Sequence, residues 1–205
     1  RRPHILLAIG LPIAALLLFW SGHLLAVRSG GSPVAGLQPL PLSGHKRLLV
    51  VAPHCDDETL GAGGTIMAAV RQGIDVRVVI ATNGDGFLFA TMEEFRRVFP
   101  SATDYVRMGE VRQRESLSAL SLLGVPTDHV TFLGYPDRGT ASMWTSHWAE
   151  GNAYRSPFTR VTRSPYPNTY NPNAVYAGED LLGDLESILR TQRPDLVLLP
   201  HPEDI

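Results

Sequence analysis

Residues 46 to 66 read Lys-Arg-Leu-Leu-Val-Val-Ala-Pro-His-Cys-Asp-Asp-Glu-Thr-Leu-Gly-Ala-Gly-Gly-Thr-Ile. Leu48 to Ala52 form an unbroken apolar run, partly β-branched, that Pro53 stops at once. A strand buried on both faces reads this way. His54, Asp56, Asp57 and Glu58 then put an imidazole and three carboxylates within one turn of chain. Gly61, Gly63 and Gly64 let the backbone turn into a helix expected from about Thr65 to Arg71. The charged cluster is therefore expected at the carboxyl end of a central strand, where open α/β sheets place their ligands.

The residue types point to metal-assisted chemistry. Imidazole and carboxylate both suit zinc or a similar divalent ion, and a catalytic zinc usually takes three protein groups and a water. Adjacent aspartates can then divide the work, one holding the ion and its neighbour taking a proton from the acidified water. The plainer reading has three acids complementing a helix dipole. It accounts for Glu58 but not for a histidine and two aspartates crowded against a buried strand.

The rest of the chain repeats the strand-and-helix alternation. Asp75 to Ala81 is a second strand of buried parallel type, with Thr82-Asn83-Gly84-Asp85-Gly86 turning at its carboxyl end. Met92 to Val98 is expected to be helical, ahead of Pro100. Asp104 to Leu123 is a firmer helix, with Val111, Leu117, Leu120 and Leu123 as its apolar stripe and Gly124 at its end. Val130 to Leu133 is a third strand, leading into Gly134-Tyr135-Pro136-Asp137-Arg138-Gly139. Glu179 to Arg190 and Asp195 to Leu199 supply the last helix and the last strand. This order predicts a Rossmann-like α/β domain, a mostly parallel sheet with helices on both faces. Between Thr140 and Tyr176 no periodicity shows, and seven aromatic residues among prolines and asparagines suggest a substrate lid. His147 lies in this stretch as a lone loop histidine.

Pro53 to Ile66 closely resembles the signature of the LmbE-like, or PIG-L-type, zinc-dependent de-N-acetylases. Those enzymes remove acetyl groups from N-acetylglucosamine units on various aglycones. The resemblance implies that His54 and Asp57 are metal ligands and Asp56 the general base. Cys55 stands where the family more often has proline, and a small buried thiol is the reading for it. Arg112 and Glu115 resemble the family's Arg-x-x-Glu pair, whose arginine reaches the substrate; a solvated helix salt bridge is the alternative. Asp137 resembles an aspartate that binds a sugar hydroxyl, the alternative being a plain Pro-Asp turn. After the final strand the family places an aspartate and then x-His-x-Asp-His, which supply a third ligand and a group near the oxyanion. Asp204 resembles that first aspartate, so residues 46–205 are expected to be a C-terminally truncated domain whose third ligand and general acid lie beyond Ile205. His201 does not match the ligand position.

Composition bounds the remainder. With 205 residues there is room for one domain with a sizeable core, and a net charge of −2 gives no electrostatic case for nucleic acid. A single cysteine excludes an internal disulfide. There is no P-loop, and Gly61-x-Gly63-Gly64 lacks the spacing of a dinucleotide fingerprint. Ile5 to Val27 is nearly continuous apolar sequence, longer than the roughly 20 residues a spanning helix needs, so residues 1–28 are expected to be a membrane anchor. A signal peptide, with an apolar region of roughly 7–15 residues, fits less well. Residues 29–45, rich in glycine, proline and serine, read as a linker. Arg1 and Arg2 ahead of the segment favour a single-pass protein with its catalytic domain on the extracytoplasmic side.

The reading as a whole is a zinc-dependent N-deacetylase acting on an N-acetylated amino-sugar conjugate. A membrane-tethered carbohydrate-binding module without turnover, or a family amidase for another amide, are the alternatives. Nothing in these features fixes an oligomeric state.

Overall fold

A computed structural model describes residues 40–201. The anchor expected over residues 1–28 and most of the linker lie outside the described residues, as does Asp204. Among the described residues no helix is long and apolar enough to cross a membrane.

Four strands, β1 (Arg47–His54), β2 (Asp75–Thr82), β3 (Val130–Tyr135) and β4 (Leu196–Leu198), form one sheet in the order β3-β2-β1-β4. Every pairing is parallel. The chain steps outward from β1 through β2 to β3, then returns to lay β4 on the other side of β1. The strand order therefore reverses at β1, and a crevice opens there at the carboxyl ends. The expected α/β class is what is observed.

Side chains alternate along each strand, so both faces need cover. Leu48, Val50 and Ala52 join Ile80 and Phe132 against Ile66 and Ala69 of helix α2 (Gly63–Arg71) and Leu120 of helix α4 (Ala102–Leu122). Leu49, Val79, Leu133 and Tyr135 face the other way, onto Met143 of α5 (Thr140–Thr145) and Ile188 of α6 (Gly178–Gln192). Two-sided cover is why β1 reads as a continuous apolar run. Leu42, ahead of β1, also packs into the first of these clusters.

Several boundaries differ from expectation, each for a local reason. Helix α4 starts at Ala102, because Ser101 caps it reciprocally with Asp104: Asp104 N donates to Ser101 Oγ at 3.3 Å and Ser101 N to Asp104 Oδ2 at 2.8 Å. Its buried stripe runs through Tyr105, Met108, Gln113, Ser116 and Leu120, so polar residues occupy positions an apolar stripe would not reveal. Helix α3 (Leu88–Phe95) begins four residues earlier than expected and stops at Arg96, which takes a left-handed φ of 51°. The expected lid is corrected more fully. Tyr166 and Tyr176 are buried, and Met143 from the same stretch is part of the core. Much of the segment is thus structural cover, although Trp144, Trp148 and Tyr170 remain exposed.

Candidate active site

β1 delivers its last residue, His54, into the crevice, and the short helix α1 (Asp57–Leu60) follows after two residues. The bend between them is made at Asp56, whose φ of 110° is one that L-residues rarely adopt. Several contacts hold it. Asp56 N donates to Glu58 Oε2 at 2.9 Å, and the Asp56 carbonyl accepts from Thr59 Oγ1 at 2.8 Å. His54 N donates to Asp57 Oδ2 at 2.9 Å. The kink lets His54, Asp56 and Asp57 share one end of the strand.

His54 sits between two carboxylates. Its Nδ1 lies 3.1 Å from Asp57 Oδ2 and its Nε2 3.4 Å from Asp137 Oδ1. Asp137 is buried, and its other oxygen accepts from Gly86 N at 2.9 Å. The Asp137 hydrogen bond holds His54 above the ordinary imidazole range, although burial alone would lower it. Burial would raise Asp137, but the hydrogen bond and charge of His54 outweigh it and keep this carboxyl below its usual range.

This pair of donors fits a metal. With Nε2–H directed at Asp137, the Nδ1 lone pair faces a carboxylate oxygen 3.1 Å away, and a proton or a cation must lie between them. Two donors on a tetrahedral zinc, at roughly 2.0–2.2 Å each, stand about 3.4 Å apart. His54 and Asp57 side chains are each 43% exposed, so the position is open. Among the described residues no group of three His, Cys, Asp or Glu side chains forms a complete metal set. Asp57 also lines a cleft of about 260 Å³ with Leu198, Leu199 and Pro200 at the carboxyl end of β4. The chain that follows β4 thus passes beside Asp57.

Arg112 of α4 is anchored on two of the site's loops. Its Nη2 donates to the Cys55 carbonyl and, at 2.7 Å, to Asp56 Oδ2, while Nη1 reaches the Gly84 carbonyl at 3.1 Å. The ion pair it makes is with Asp56, not with Glu115, so the solvated helix salt bridge does not describe it. The guanidinium joins the loops after β1 and β2 and fixes one oxygen of Asp56. Gly84, at φ 62°, is required here, because a Cβ at that position would collide with the guanidinium. His54, Asp56, Arg112 and Asp137 line a common cleft of about 350 Å³ together with Phe87 and Arg138. Asp137 faces His54 with one oxygen and the protein backbone with the other, so a plain Pro-Asp turn does not describe it.

Two residues of the site were hidden in the sequence. Glu58 is 1% exposed, and burial pushes its carboxyl up. The helix-dipole reading fails for it, since α1 has only four residues and the carboxylate turns back to Asp56. Asp85 is also 1% exposed, held by the Tyr166 hydroxyl at 2.6 Å, and nothing about an Asn-Gly-Asp turn announces that burial. Cys55 is buried with its thiol pushed up to about 12 by burial, which rules it out as a nucleophile near neutrality. His147, by contrast, bonds the Asn152 carbonyl at 2.8 Å in the segment after α5.

A family profile described as PIG-L, GlcNAc-PI de-N-acetylase, matches residues 49–205. The chain belongs to the PIG-L family. It is 34% identical over 159 residues to a 1D-myo-inositol 2-acetamido-2-deoxy-alpha-D-glucopyranoside deacetylase of Mycobacterium sp. (strain KMS), covering 77% of this chain and 44% of that protein. It is 42% identical over 147 residues to the deacetylase of the same description from Rhodococcus jostii (strain RHA1), covering 66% of this chain and 49% of the relative. The chain thus spans about half the length of these PIG-L relatives. A solved N,N'-diacetylchitobiose deacetylase from Pyrococcus horikoshii superposes with a TM-score of 0.49 at 22% identity, over 83% of this chain and 48% of that one.

Proposed function

We propose that this PIG-L domain is a metal-dependent hydrolase that removes the acetyl group from an N-acetylglucosamine-type amino sugar carried on a lipid or another conjugate. The observation that carries the reading is the placement of Asp56 beside the His54–Asp57 donor pair, at the reversal point of the sheet. His54 and Asp57 would hold a divalent ion, zinc by their chemistry, which when bound polarises an amide carbonyl and acidifies water.

The chain's own residues supply the rest. Asp56 is the general base: its side chain is 53% exposed, and Arg112 holds one of its oxygens, leaving the carboxylate aimed and accessible. Asp137 orients the His54 ring through Nε2 and so selects Nδ1 as the free donor. Arg112 and Arg138, at the wall of the same cleft, give the sugar's polar groups donors to meet.

Replacing the two aspartates tests the division of labour. In the full-length protein Asp56→Asn is expected to retain its zinc by elemental analysis and to lose on the order of a hundredfold or more in acetate release. Asp57→Ala is expected to lose both. Activity of Asp56→Asn within about threefold of wild type overturns the base assignment. A zinc-loaded wild type that releases no acetate from any N-acetylglucosamine conjugate overturns the enzymatic reading in favour of carbohydrate binding.

A further inference from the structure

Asp56 must satisfy two demands at once. Its carboxylate has to face the cleft, and its backbone has to hold a φ of 110° with ψ −31°, outside the regions L-residues favour. Left alone, a residue in such a conformation relaxes, and its side chain swings with it.

We infer that Glu58 is a positioning residue for Asp56: its buried carboxylate captures the Asp56 N–H and so fixes the backbone that aims the base. Three features carry this. Glu58 is buried to 1% exposure in a single-turn helix, where a carboxylate has no solvent and almost no dipole to stabilise it. Its Oε2 accepts from Asp56 N at 2.9 Å, two residues back across the kink. Its Oε1 makes no close hydrogen bond, only the Ser116 hydroxyl bearing on the carboxylate, and Glu58 lines a cavity of about 140 Å³ shared with Asp56, Arg112 and Ser116. Packing alone would favour an apolar side chain there.

The two supports of Asp56 are complementary. Arg112 reaches from α4 to the Asp56 side chain and the carbonyl just before it. Glu58 holds the intervening N–H. The peptide between Cys55 and Asp56 is thereby gripped at both its oxygen and its nitrogen, and it cannot flip without breaking both contacts.

The inference rests on Asp56 acting as the base, so the experiment pairs turnover with readouts that do not depend on it. Glu58→Gln keeps an acceptor oxygen, and its amide NH2 can be hydrated in the adjoining cavity. It is expected to stay within about threefold of wild-type kcat. Glu58→Ala is expected to lose about 10- to 100-fold in kcat, with KM and zinc affinity by isothermal titration within about twofold, since displacement of a catalytic group by an ångström acts on turnover. In the same variants, amide exchange at Asp56 read by NMR is expected to accelerate at least about tenfold in Glu58→Ala and not in Glu58→Gln. Unchanged exchange at Asp56 in a folded Glu58→Ala overturns the inference whatever the activity. So does equal damage by Gln and Ala, which would make charge the requirement, and so does loss of zinc affinity in step with kcat, the mark of a merely structural role. Failure of the base assignment itself shows separately, as activity retained by Asp56→Asn.

Discussion

At the scale of single residues the site is surrounded by carboxylates with different fates. Asp137 is kept ionised by its histidine, whereas Asp85 is buried, with the Tyr166 hydroxyl on its Oδ2. Burial pushes Asp85 up to about 6; the Tyr166 hydroxyl opposes the shift and the negative Asp137 adds to it. An acid whose folded pKa exceeds its unfolded value near 3.9 favours folding fully below that value and loses the advantage as pH rises towards the folded one. Between about pH 4 and 6, wild type should therefore lose stability relative to Asp85→Asn, by a total of order 1–3 kcal/mol. Urea unfolding of both proteins at pH 4.5 and 7.5 measures the difference. A gap that is the same at both pH values shows that Asp85 titrates normally. The sequence offers no hint of this residue's burial, because the Tyr166 that covers it lies 81 positions away.

At the scale of elements, legibility followed burial symmetry. β1 and β2 are covered on both faces, so Leu48 to Ala52 and Val78 to Ala81 are unbroken apolar runs, and the pattern survives without any partner in view. Helix α4 is legible in the sequence but its start is not, since the capping box depends on a side-chain exchange between Ser101 and Asp104. Ser101→Ala removes an acceptor for a first-turn N–H and is expected to cost about 0.5–2 kcal/mol. A urea midpoint that drops with an unchanged slope would report that loss; a midpoint identical to wild type would show the cap to be idle. The stretch from Thr140 to Tyr176 reads as a lid and serves largely as cover because its tyrosines are amphipathic. Tyr166 buries its ring while its hydroxyl reaches the carboxylate of Asp85, as Tyr135 of β3 does with Asp184. Such long-range pairs leave no periodicity. The site itself was half legible: the cluster at the end of β1 reads directly from the sequence, while the burial of Glu58 and the anchoring of Arg112 on two loops exist only once β1, β2 and α4 are packed.

At the scale of the whole molecule, the described domain has its candidate site in the crevice at the carboxyl end of β1, where the strand order reverses, and residues 1–39 precede it. We propose that the apolar sequence from residue 5 to 27 tethers the PIG-L domain to a membrane, with the domain on the extracytoplasmic side. The segment has about the length that a hydrocarbon core demands, its interior carries no charged residue, and Trp20 suits the interface. A tether of this kind would concentrate the domain near conjugates presented at a membrane surface, consistent with an amino sugar on a lipid as one substrate class. The physical consequence is retention: burying some twenty apolar residues in lipid makes release by alkali unfavourable, whereas a peripheral protein held by charges detaches. The full-length protein is expected to stay in the membrane pellet through a carbonate wash, and cleavage near Gly36 is expected to free the domain into solution. Protease added to sealed cells or spheroplasts should reach the domain if it lies outside. Quantitative release of the intact chain by carbonate would exclude such a tether, and a domain cleaved only after lysis would reverse the orientation.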